Sequence, residues 1–375
     1  MHTATRMAVP HLGRVRELNP SIRIACYGLY APLNSDYLKS IGVDAIFGGE
    51  FEADLVQWVL NGQTAVSPTV PRLDFHVPDR TGLASHSRYA KLRILEEERT
   101  VGYTEASRGC KHKCRHCPVV PVYNGAFRVV QSEIVLADIR QQVEAGAQHI
   151  TFGDPDFWNG PAHATRILEA MHAEFPQLTF DATIKIEHLR KHRDLLLLLR
   201  DTGCLFVTSA VESLDDRVLE RLDKGHTRAD FIKVVEDFRA VGLALSPTFI
   251  AFHPWTTIGI YREFLKAIRD LDLVANTASV QLALRLLIPQ GSRMLELDEI
   301  QSVVRAFDPA ALTWKWCHPD VEVDRFAHQV FQSISQQGLS REQAFERVWQ
   351  IACEGEMPTL LARAAIPYLT EPWYC

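Results

Sequence analysis

Short apolar runs alternate with amphipathic helical segments between residues 101 and 288, and this alternation restricts the fold more than any other feature. Several of the helical segments end at a glycine, as at Gly146, Gly203 and Gly242. The runs between them are nearly all apolar, which is typical of parallel strands covered by helices on their faces. Six such units predict an α/β fold that is either an open doubly wound sheet or an incomplete barrel. In both cases, functional residues are expected at the C-terminal ends of the strands.

The segments outside this repeat divide the chain further. Residues 1–65 predict a small α/β unit, and residues 66–97 are rich in Pro, Ser, Asp and His without periodicity, which predicts a linker. The repeat itself fills a predicted domain over 98–300. Residues 301–375 predict a mainly helical C-terminal extension.

Composition excludes several functional classes. The chain of 375 residues carries a formal net charge of −6, so no global basic field favours nucleic acid, and nucleic acid is not an expected partner. No apolar run approaches the roughly 18 residues that a membrane-spanning helix needs. The sequence therefore predicts a cytoplasmic protein without a membrane partner, in which a disulfide framework is not expected.

The stretch GCKHKCRHCP, residues 109–118, concentrates metal-binding side chains. Cys110, Cys114 and Cys117 form a C-x3-C-x2-C motif directly after the first strand of the repeat. A c-type haem is excluded because Pro118 follows the last cysteine where histidine is required. A closed zinc site with His112 or His116 as the fourth ligand is one alternative. A four-iron cluster with one open iron is the other, since such a cluster normally takes four cysteines.

This motif, placed after the first strand of a six-fold β/α repeat, resembles the radical S-adenosylmethionine (radical SAM) superfamily over residues 98–300. The preceding Glu105-Ala-Ser-Arg-Gly resembles the lead-in of its cobalamin-type and methylthiotransferase-like branches. The resemblance implies a partial (β/α)6 TIM-like barrel and a [4Fe–4S] cluster held by Cys110, Cys114 and Cys117. It also implies S-adenosylmethionine bound at the fourth iron and cleaved reductively to a 5′-deoxyadenosyl radical, which acts on an unknown substrate.

The resemblance further assigns cofactor-binding residues to the ends of the strands. It places a glycine–acid pair against the methionine ammonium, a lysine against the methionine carboxylate and a glutamate against the ribose hydroxyls. A ring beside the third cysteine is expected to stack on adenine. The residues at these positions are His116, Gly153, Asp154, Lys185, Ser209, Glu212 and Ser213.

Basic residues surround the cysteines. Arg108, Lys111, Lys113 and Arg115 are either a solvated basic loop or a docking surface for an acidic electron donor. The donor implied by the resemblance is a reductant such as flavodoxin or ferredoxin.

Both ends of the chain carry additional resemblances. Residues 1–65 resemble part of a cobalamin-binding-like domain, but the Asp-x-His-x-x-Gly cobalt-ligating segment is absent, so cobalamin is not predicted. The end, PYLTEPWYC, resembles the tail of the CUAEP/CCAEP radical SAM family, whose Cys–selenocysteine or Cys–Cys pair precedes Ala-Glu-Pro. We therefore expect Cys375 to be a candidate catalytic thiol, followed in the gene by a selenocysteine codon read as stop.

Overall fold

The computed structural model describes residues 2–62, 68–336, 338–353, 359–360 and 366–370. Its N-terminal unit places two very short parallel strands beside four helices. Leu38 and Val43 are buried in its small core, which the helices cover. In chain order the elements are α1 (His2–Leu18), β1 (Ala25–Cys26), α2 (Tyr30–Leu33), α3 (Ser35–Ser40), β2 (Ala45–Ile46) and α4 (Glu52–Asn61).

The remaining described strands build one large sheet and two small hairpins. They are β3 (Lys91–Ile94), β4 (Glu97–Thr104), β5 (Ser107–Gly109), β6 (Phe127–Val129), β7 (His149–Phe152), β8 (Thr179–Thr183), β9 (Cys204–Glu212), β10 (Ala244–Phe249), β11 (Val304–Asp308), β12 (Thr313–Trp316) and β13 (Tyr368–Leu369).

Within the described residues, the large sheet has the strand order β10-β9-β8-β7-β4-β3-β13. Five of its strands are parallel to one another, namely β4, β7, β8, β9 and β10. The antiparallel strands β3 and β13 close the β4 edge. Consecutive parallel strands are neighbours throughout, which is the order of a curled partial barrel and not of a doubly wound sheet. The predicted α/β partial barrel is confirmed.

The sixth predicted strand, in SVQLALRLLIP, differs from expectation. Its first part is a 3-10 turn, Ser279–Leu282, and the Gln281 side chain accepts a hydrogen bond from the Phe249 amide at 2.8 Å. A side-chain amide thus takes the place of the next strand's backbone at the end of β10. Only Arg285 forms an isolated parallel bridge, with Phe252. The segment therefore runs where a sixth strand would lie but lacks a continuous ladder.

Helices between the strands cover the outer face of the sheet. Ile150, Phe180 and Val207 are fully buried between the sheet and these helices. The described helices after α4 are α5 (Val120–Tyr123), α6 (Ser132–Glu144), α7 (Pro161–Glu174), α8 (Ile186–Lys191), α9 (Leu196–Asp201), α10 (Asp216–Leu222), α11 (Arg228–Val241), α12 (Ile258–Asp270), α13 (Asp298–Val303), α14 (Val321–Ile334) and α15 (Arg341–Ala352). The sequence predicts one helix where α8 and α9 are separated by a 3-10 turn, Arg193–Leu195.

The segment predicted as a linker packs along the barrel. Arg80 contacts the buried carboxylate of Asp138 on α6 with two hydrogen bonds of 2.8 Å each. Gln131 bonds the backbone of Leu73 and Phe75. The first part of the predicted C-terminal extension contains the β11–β12 hairpin as well as helices. None of the described helices is long and apolar enough to cross a lipid bilayer.

Candidate active site

The cysteine loop follows the C-terminal end of β4 and lies between β5 and α5. Gly109, the residue before the first cysteine, has φ +75°, in the left-handed region. A Cβ atom at Gly109 would lie 2.4 Å from the Tyr123 ring and 2.6 Å from the Ala126 carbonyl oxygen. The backbone here is both left-handed and closely packed, so this position requires glycine.

Gly109→Ala is therefore expected to destabilise the chain by about 2–4 kcal/mol, from backbone strain and overpacking together. Thermal or urea unfolding measures this loss. Gly146→Ala is the matched control, because Gly146 has φ +95° but a Cβ atom there would meet nothing within 4 Å. The control isolates the backbone strain of about 1–2 kcal/mol. Equal losses in the two variants would contradict the packing argument.

Neighbouring elements hold the loop backbone in place. Asn159 donates to the Gly109 carbonyl at 3.1 Å and accepts from the Lys111 amide at 3.2 Å. On the other side, the Arg115 guanidinium donates to the Glu220 and Arg221 carbonyls at the end of α10. Arg293 donates to the Lys113 carbonyl at 2.9 Å. The loop thus has fixed contacts to three separate parts of the chain.

The three thiols are shielded from water and free of disulfides. Cys114 is buried, and Cys110 and Cys117 are half-buried. Burial raises the pKa of Cys110 to about 12, with Asp156 adding to the effect. Burial also raises the pKa of Cys117 to about 11, with Cys114 adding to it. Without a metal the Cys110 and Cys117 thiols are protonated, so metal binding must displace their protons.

The spacing of these sulfurs separates the two metal alternatives. Zinc bonds of about 2.3 Å place tetrahedral thiolates about 3.8 Å apart. Within the described ranges, the single group of three or more His, Cys, Asp or Glu ligand atoms lying within 4.8 Å of one another contains no cysteine. The cysteines with His112 or His116 are therefore not arranged as a closed tetrahedral zinc site. Three thiolates from one loop are a donor set that fits an iron–sulfur cluster.

Glu212 ends β9 and lies beside the cysteine loop. Its carboxylate contacts His116 Nε2 at 3.0 Å and Lys224 Nζ at 3.4 Å. Burial alone would raise the pKa of Glu212, but Lys224 and His116 outweigh it and hold this pKa at about 2. Burial lowers the pKa of Lys224, whereas the nearby Glu212, Cys114 and Cys117 raise this pKa on balance. This ammonium is therefore a fixed positive charge close to two of the cysteines.

Gly153 and Asp154 lie at the end of β7. A Cβ atom at Gly153 would lie 1.8 Å from the Tyr103 hydroxyl oxygen, so the missing side chain makes room for that ring. Asp154 accepts from the Ala106 amide at 2.9 Å and from the Ser107 hydroxyl at 2.6 Å. Burial raises the pKa of Asp154 to about 7, against these hydrogen bonds. The described contacts of Asp154 fix the backbone that leads into the cysteine loop.

The other predicted pocket residues have mixed surroundings. Lys185, at the N-terminus of α8, pairs with Glu187 at 3.0 Å and is buried. Ser209 is fully buried and donates to the Ile184 carbonyl at 2.6 Å, which links β9 to β8. Ser213 accepts from the Asp215 amide at 3.1 Å. The two serines thus have structural partners, whereas Lys185 carries a charge near the cysteine loop.

The basic residues of the loop divide into two groups. Arg108 contacts the carboxylates of Glu50, Glu52 and Glu105, which attaches the N-terminal unit to the barrel. Its role is therefore structural, and it does not form part of an open basic surface. Lys111 and Lys113 are exposed.

Several residues of this site are absent from the sequence-based set. Asn159 looks like an ordinary turn residue, and only the fold brings it to Gly109. Lys224 matches the resemblance only as a packing residue, yet it is buried against Glu212. Asp156 lies two residues after Asp154. Two acidic residues at one strand end are the single sequence signal that could have identified Asp156. Cys375 lies outside the described residues.

A family model described as the radical SAM superfamily matches residues 104–271. Among relatives, the chain is 26% identical over 245 residues to the ribosomal protein uS12 methylthiotransferase RimO of Bacteroides fragilis, covering 59% of this chain and 55% of the relative. It is 24% identical over 279 residues to the tRNA-2-methylthio-N(6)-dimethylallyladenosine synthase of Vibrio parahaemolyticus, covering 70% and 56%. The chain spans about half of the length of these relatives.

Two solved structures share the fold. The cobalamin-dependent S-adenosylmethionine radical enzyme OxsB, with aqua-cobalamin bound, has a TM-score of 0.66 at 14% identity, over 88% of this chain and 56% of OxsB. The radical S-adenosylmethionine methyltransferase TsrM from Kitasatospora setae, with tryptophan and an S-adenosylmethionine analogue, has a TM-score of 0.59 at 14% identity, over 83% and 68%.

The chain contains a radical SAM superfamily domain. At the level of the superfamily, the match over residues 104–271 confirms the predicted enzyme class and the predicted cofactors, a [4Fe–4S] cluster and S-adenosylmethionine. The resemblance to the CUAEP/CCAEP-tail family is not shown by these relatives and stays a prediction.

Proposed function

We propose that this radical SAM domain cleaves S-adenosylmethionine reductively and uses the resulting 5′-deoxyadenosyl radical on a substrate bound at the C-terminal ends of the parallel strands. One observation carries the proposal: three shielded thiols lie on a fixed loop after the first parallel strand, within the matched domain. Their spacing does not suit a single zinc ion.

Cys110, Cys114 and Cys117 are the residues that would hold the cluster, which supplies the electron for cleavage of the sulfonium C–S bond. Lys224 contributes a buried positive charge that stabilises the thiolates and favours the reduced, more negative cluster. The half-buried and buried positions of the thiols limit access of water. The chain's own task is to hold these ligands, orient S-adenosylmethionine and exclude solvent.

We further propose that the strand-end residues bind S-adenosylmethionine. Lys185 supports the methionine carboxylate as a point charge, because its ammonium is buried next to the cysteine loop. Glu212 supports the ribose, and His116 beside it supplies a planar ring for adenine. The Asp154 contacts that fix the loop lead-in support a role for Gly153 and Asp154 at the methionine ammonium. Ser209 and Ser213 stabilise the same pocket indirectly. Their hydrogen bonds to the backbone hold the ends of β8 and β9 and the start of α10 in place.

Anaerobic reconstitution with iron and sulfide tests the proposed activity. The reconstituted chain, given dithionite and S-adenosylmethionine, is expected to release methionine and 5′-deoxyadenosine in equal amounts, quantified by chromatography. A chain that carries the cluster but forms no 5′-deoxyadenosine would refute the proposed reaction.

We propose a flavodoxin or ferredoxin as the physiological reductant, docked on the two exposed lysines. Lys111→Glu/Lys113→Glu is expected to slow 5′-deoxyadenosine formation driven by flavodoxin about tenfold or more at low salt, because electrostatic steering raises association rates about 10- to 1,000-fold. The same variant with dithionite should keep the wild-type rate. Lys266→Glu, on α12 of the outer layer, is the control. An unchanged flavodoxin-driven rate at low salt rules out this docking surface.

The sequence relatives indicate which substrate classes to test. They modify a tRNA nucleoside and a ribosomal protein, and both reactions are methylthio transfers by name. RNA therefore belongs among the substrates to test, although the net charge of −6 does not favour it. We propose RNA or protein as the substrate class to assay first, with an added methylthio group as the product to look for. Mass spectrometry of RNA and peptide fractions after turnover detects the added group. Unmodified fractions would refute this substrate class and would not affect the proposed cleavage of S-adenosylmethionine.

A further inference from the structure

A second set of ligand-type side chains lies beside the cysteine loop, and the proposed cluster chemistry does not use it. His112, Asp156 and His188 each offer one ligand atom, and these atoms all lie within 4.8 Å of one another. They come from the cysteine loop, from the turn after β7 and from α8. In the part of the chain that the structure describes, no other group of three or more His, Cys, Asp or Glu side chains is this close.

The inner part of this group is buried and incompletely bonded. Asp156 and His188 are each 1% exposed. Oδ2 of Asp156 and Nδ1 of His188 lie 2.7 Å apart, yet neither atom has a hydrogen-bond partner of suitable geometry. The other oxygen of Asp156 accepts from the Trp158 and Lys185 amides at 3.3 and 3.4 Å, which fixes the carboxylate. A buried carboxylate oxygen in this position is costly unless a cation neutralises it.

His112 completes the group from the cysteine loop. It is half-buried, not solvent-facing, and its Nε2 lies 3.1 Å from His188 Nε2 and 3.8 Å from Asp156 Oδ2. Its other ring nitrogen faces Glu187 at 3.5 Å. The 2.7 Å contact uses His188 Nδ1 and the 3.1 Å contact uses His188 Nε2, and one ion takes only one of these nitrogens. With one atom from each side chain, the three ligand atoms lie within 4.8 Å of one another. Ligands bonded at about 2.1 Å to one ion lie about 3–3.5 Å apart, so a small adjustment of the side chains completes the site. A carboxylate on the distal nitrogen is the usual outer partner of a metal-binding histidine.

We propose that His112, Asp156 and His188 bind one divalent transition-metal ion, Zn²⁺ or Fe²⁺, at a site separate from the cluster. Two imidazoles and one carboxylate suit these borderline ions and are a poor set for Mg²⁺ or Ca²⁺. Three protein ligands leave coordination positions open to water or to an exchangeable anionic ligand. This proposal does not depend on the proposed radical reaction.

Cobalt titration of the full chain with Cys110, Cys114 and Cys117 all replaced by serine tests the site without the competing thiolates. One equivalent of Co²⁺ is expected to bind with visible d–d bands but without thiolate charge-transfer absorption, and Zn²⁺ is expected to displace it. Asp156→Asn keeps the Oδ1 contacts, and His112→Ala removes a half-buried ring. Each is expected to weaken binding more than about tenfold.

His192→Ala is the matched control, because its ring lies 6.2 Å from His188 outside the group and its loss should leave Co²⁺ binding unchanged. Circular dichroism checks that the cysteine-free chain is folded. A folded chain that binds no Co²⁺, or binds it equally after Asp156→Asn and His112→Ala, overturns the site.

If the cysteine-free chain does not fold, the wild-type chain is used instead of the Co²⁺ titration. It is loaded with the cluster and incubated with Zn²⁺, and its metal content is measured by elemental analysis. One zinc beyond the cluster iron, lost in His112→Ala, supports the site, and no retained zinc overturns it. These readouts are metal contents, so they are distinct from a failure of S-adenosylmethionine cleavage.

Discussion

Cys114→Ala is expected to abolish reductive cleavage of S-adenosylmethionine. Cys114 is the buried member of the three thiols, and no other cysteine of the loop can replace its sulfur. Loss of an outer-shell partner of a metal ligand costs about 10- to 100-fold, so loss of a ligand itself is expected to cost more than about 100-fold. The rate of 5′-deoxyadenosine formation with dithionite measures the effect, and Cys110→Ala and Cys117→Ala should behave alike.

Cys317→Ala is the matched control for these variants. Cys317 is a free, exposed cysteine of the loop after β12, far along the chain from the proposed ligand set. Its replacement removes a thiol without touching the loop, so the iron content and the cleavage rate should match wild type. Full activity in Cys114→Ala would refute the assignment of the ligands.

Lys224→Met is expected to destabilise the cluster-free chain by about 3–5 kcal/mol, because it leaves the buried Glu212 carboxylate without its cationic partner. Urea unfolding at pH 7 measures the loss. Lys266→Met is the control: its ion pair with Glu263 is exposed on α12, so the change should stay within about 0.5 kcal/mol. A loss below about 1 kcal/mol in Lys224→Met would contradict the buried pair.

The pH dependence of unfolding gives a second readout of this pair. Glu212 has a folded-state pKa of about 2, below its ordinary value of 4.5. Its stabilising contribution is therefore complete above about pH 4.5 and is lost as the pH falls toward 2. Because Lys224 is the strongest contributor that lowers this pKa, Lys224→Met should shift the loss toward higher pH.

The sequence predicted the repeat, and it predicted that three cysteines share one loop, because both are local signals. Apolar runs separated by helices ending at Gly146 and Gly242 are readable by periodicity, and three cysteines within eight residues are readable by spacing. The prediction of the last strand was wrong, because its apolar pattern does not reveal that the Gln281 side chain accepts a hydrogen bond from the Phe249 amide in place of a backbone partner. Likewise, no local sequence signal predicts the 3-10 turn that separates α8 from α9.

The contacts of the site depended on the fold. Residues far apart in sequence, such as His112 and His188, meet only because the strand ends converge on the cysteine loop. The same convergence gives Asp154 backbone partners in the loop lead-in and turns Arg108 toward the N-terminal unit. Residue type predicted that these groups carry charge, but their partners required the three-dimensional structure.

Electron paramagnetic resonance of the reconstituted, dithionite-reduced chain, with and without S-adenosylmethionine, shows whether the three cysteines hold a cluster with one open iron. Three cysteine ligands that leave one iron open predict about four irons and four sulfides per chain. They also predict a reduced [4Fe–4S] signal whose g values change when S-adenosylmethionine is added. A colourless chain with one zinc, or a cluster signal that S-adenosylmethionine leaves unchanged, would contradict the account.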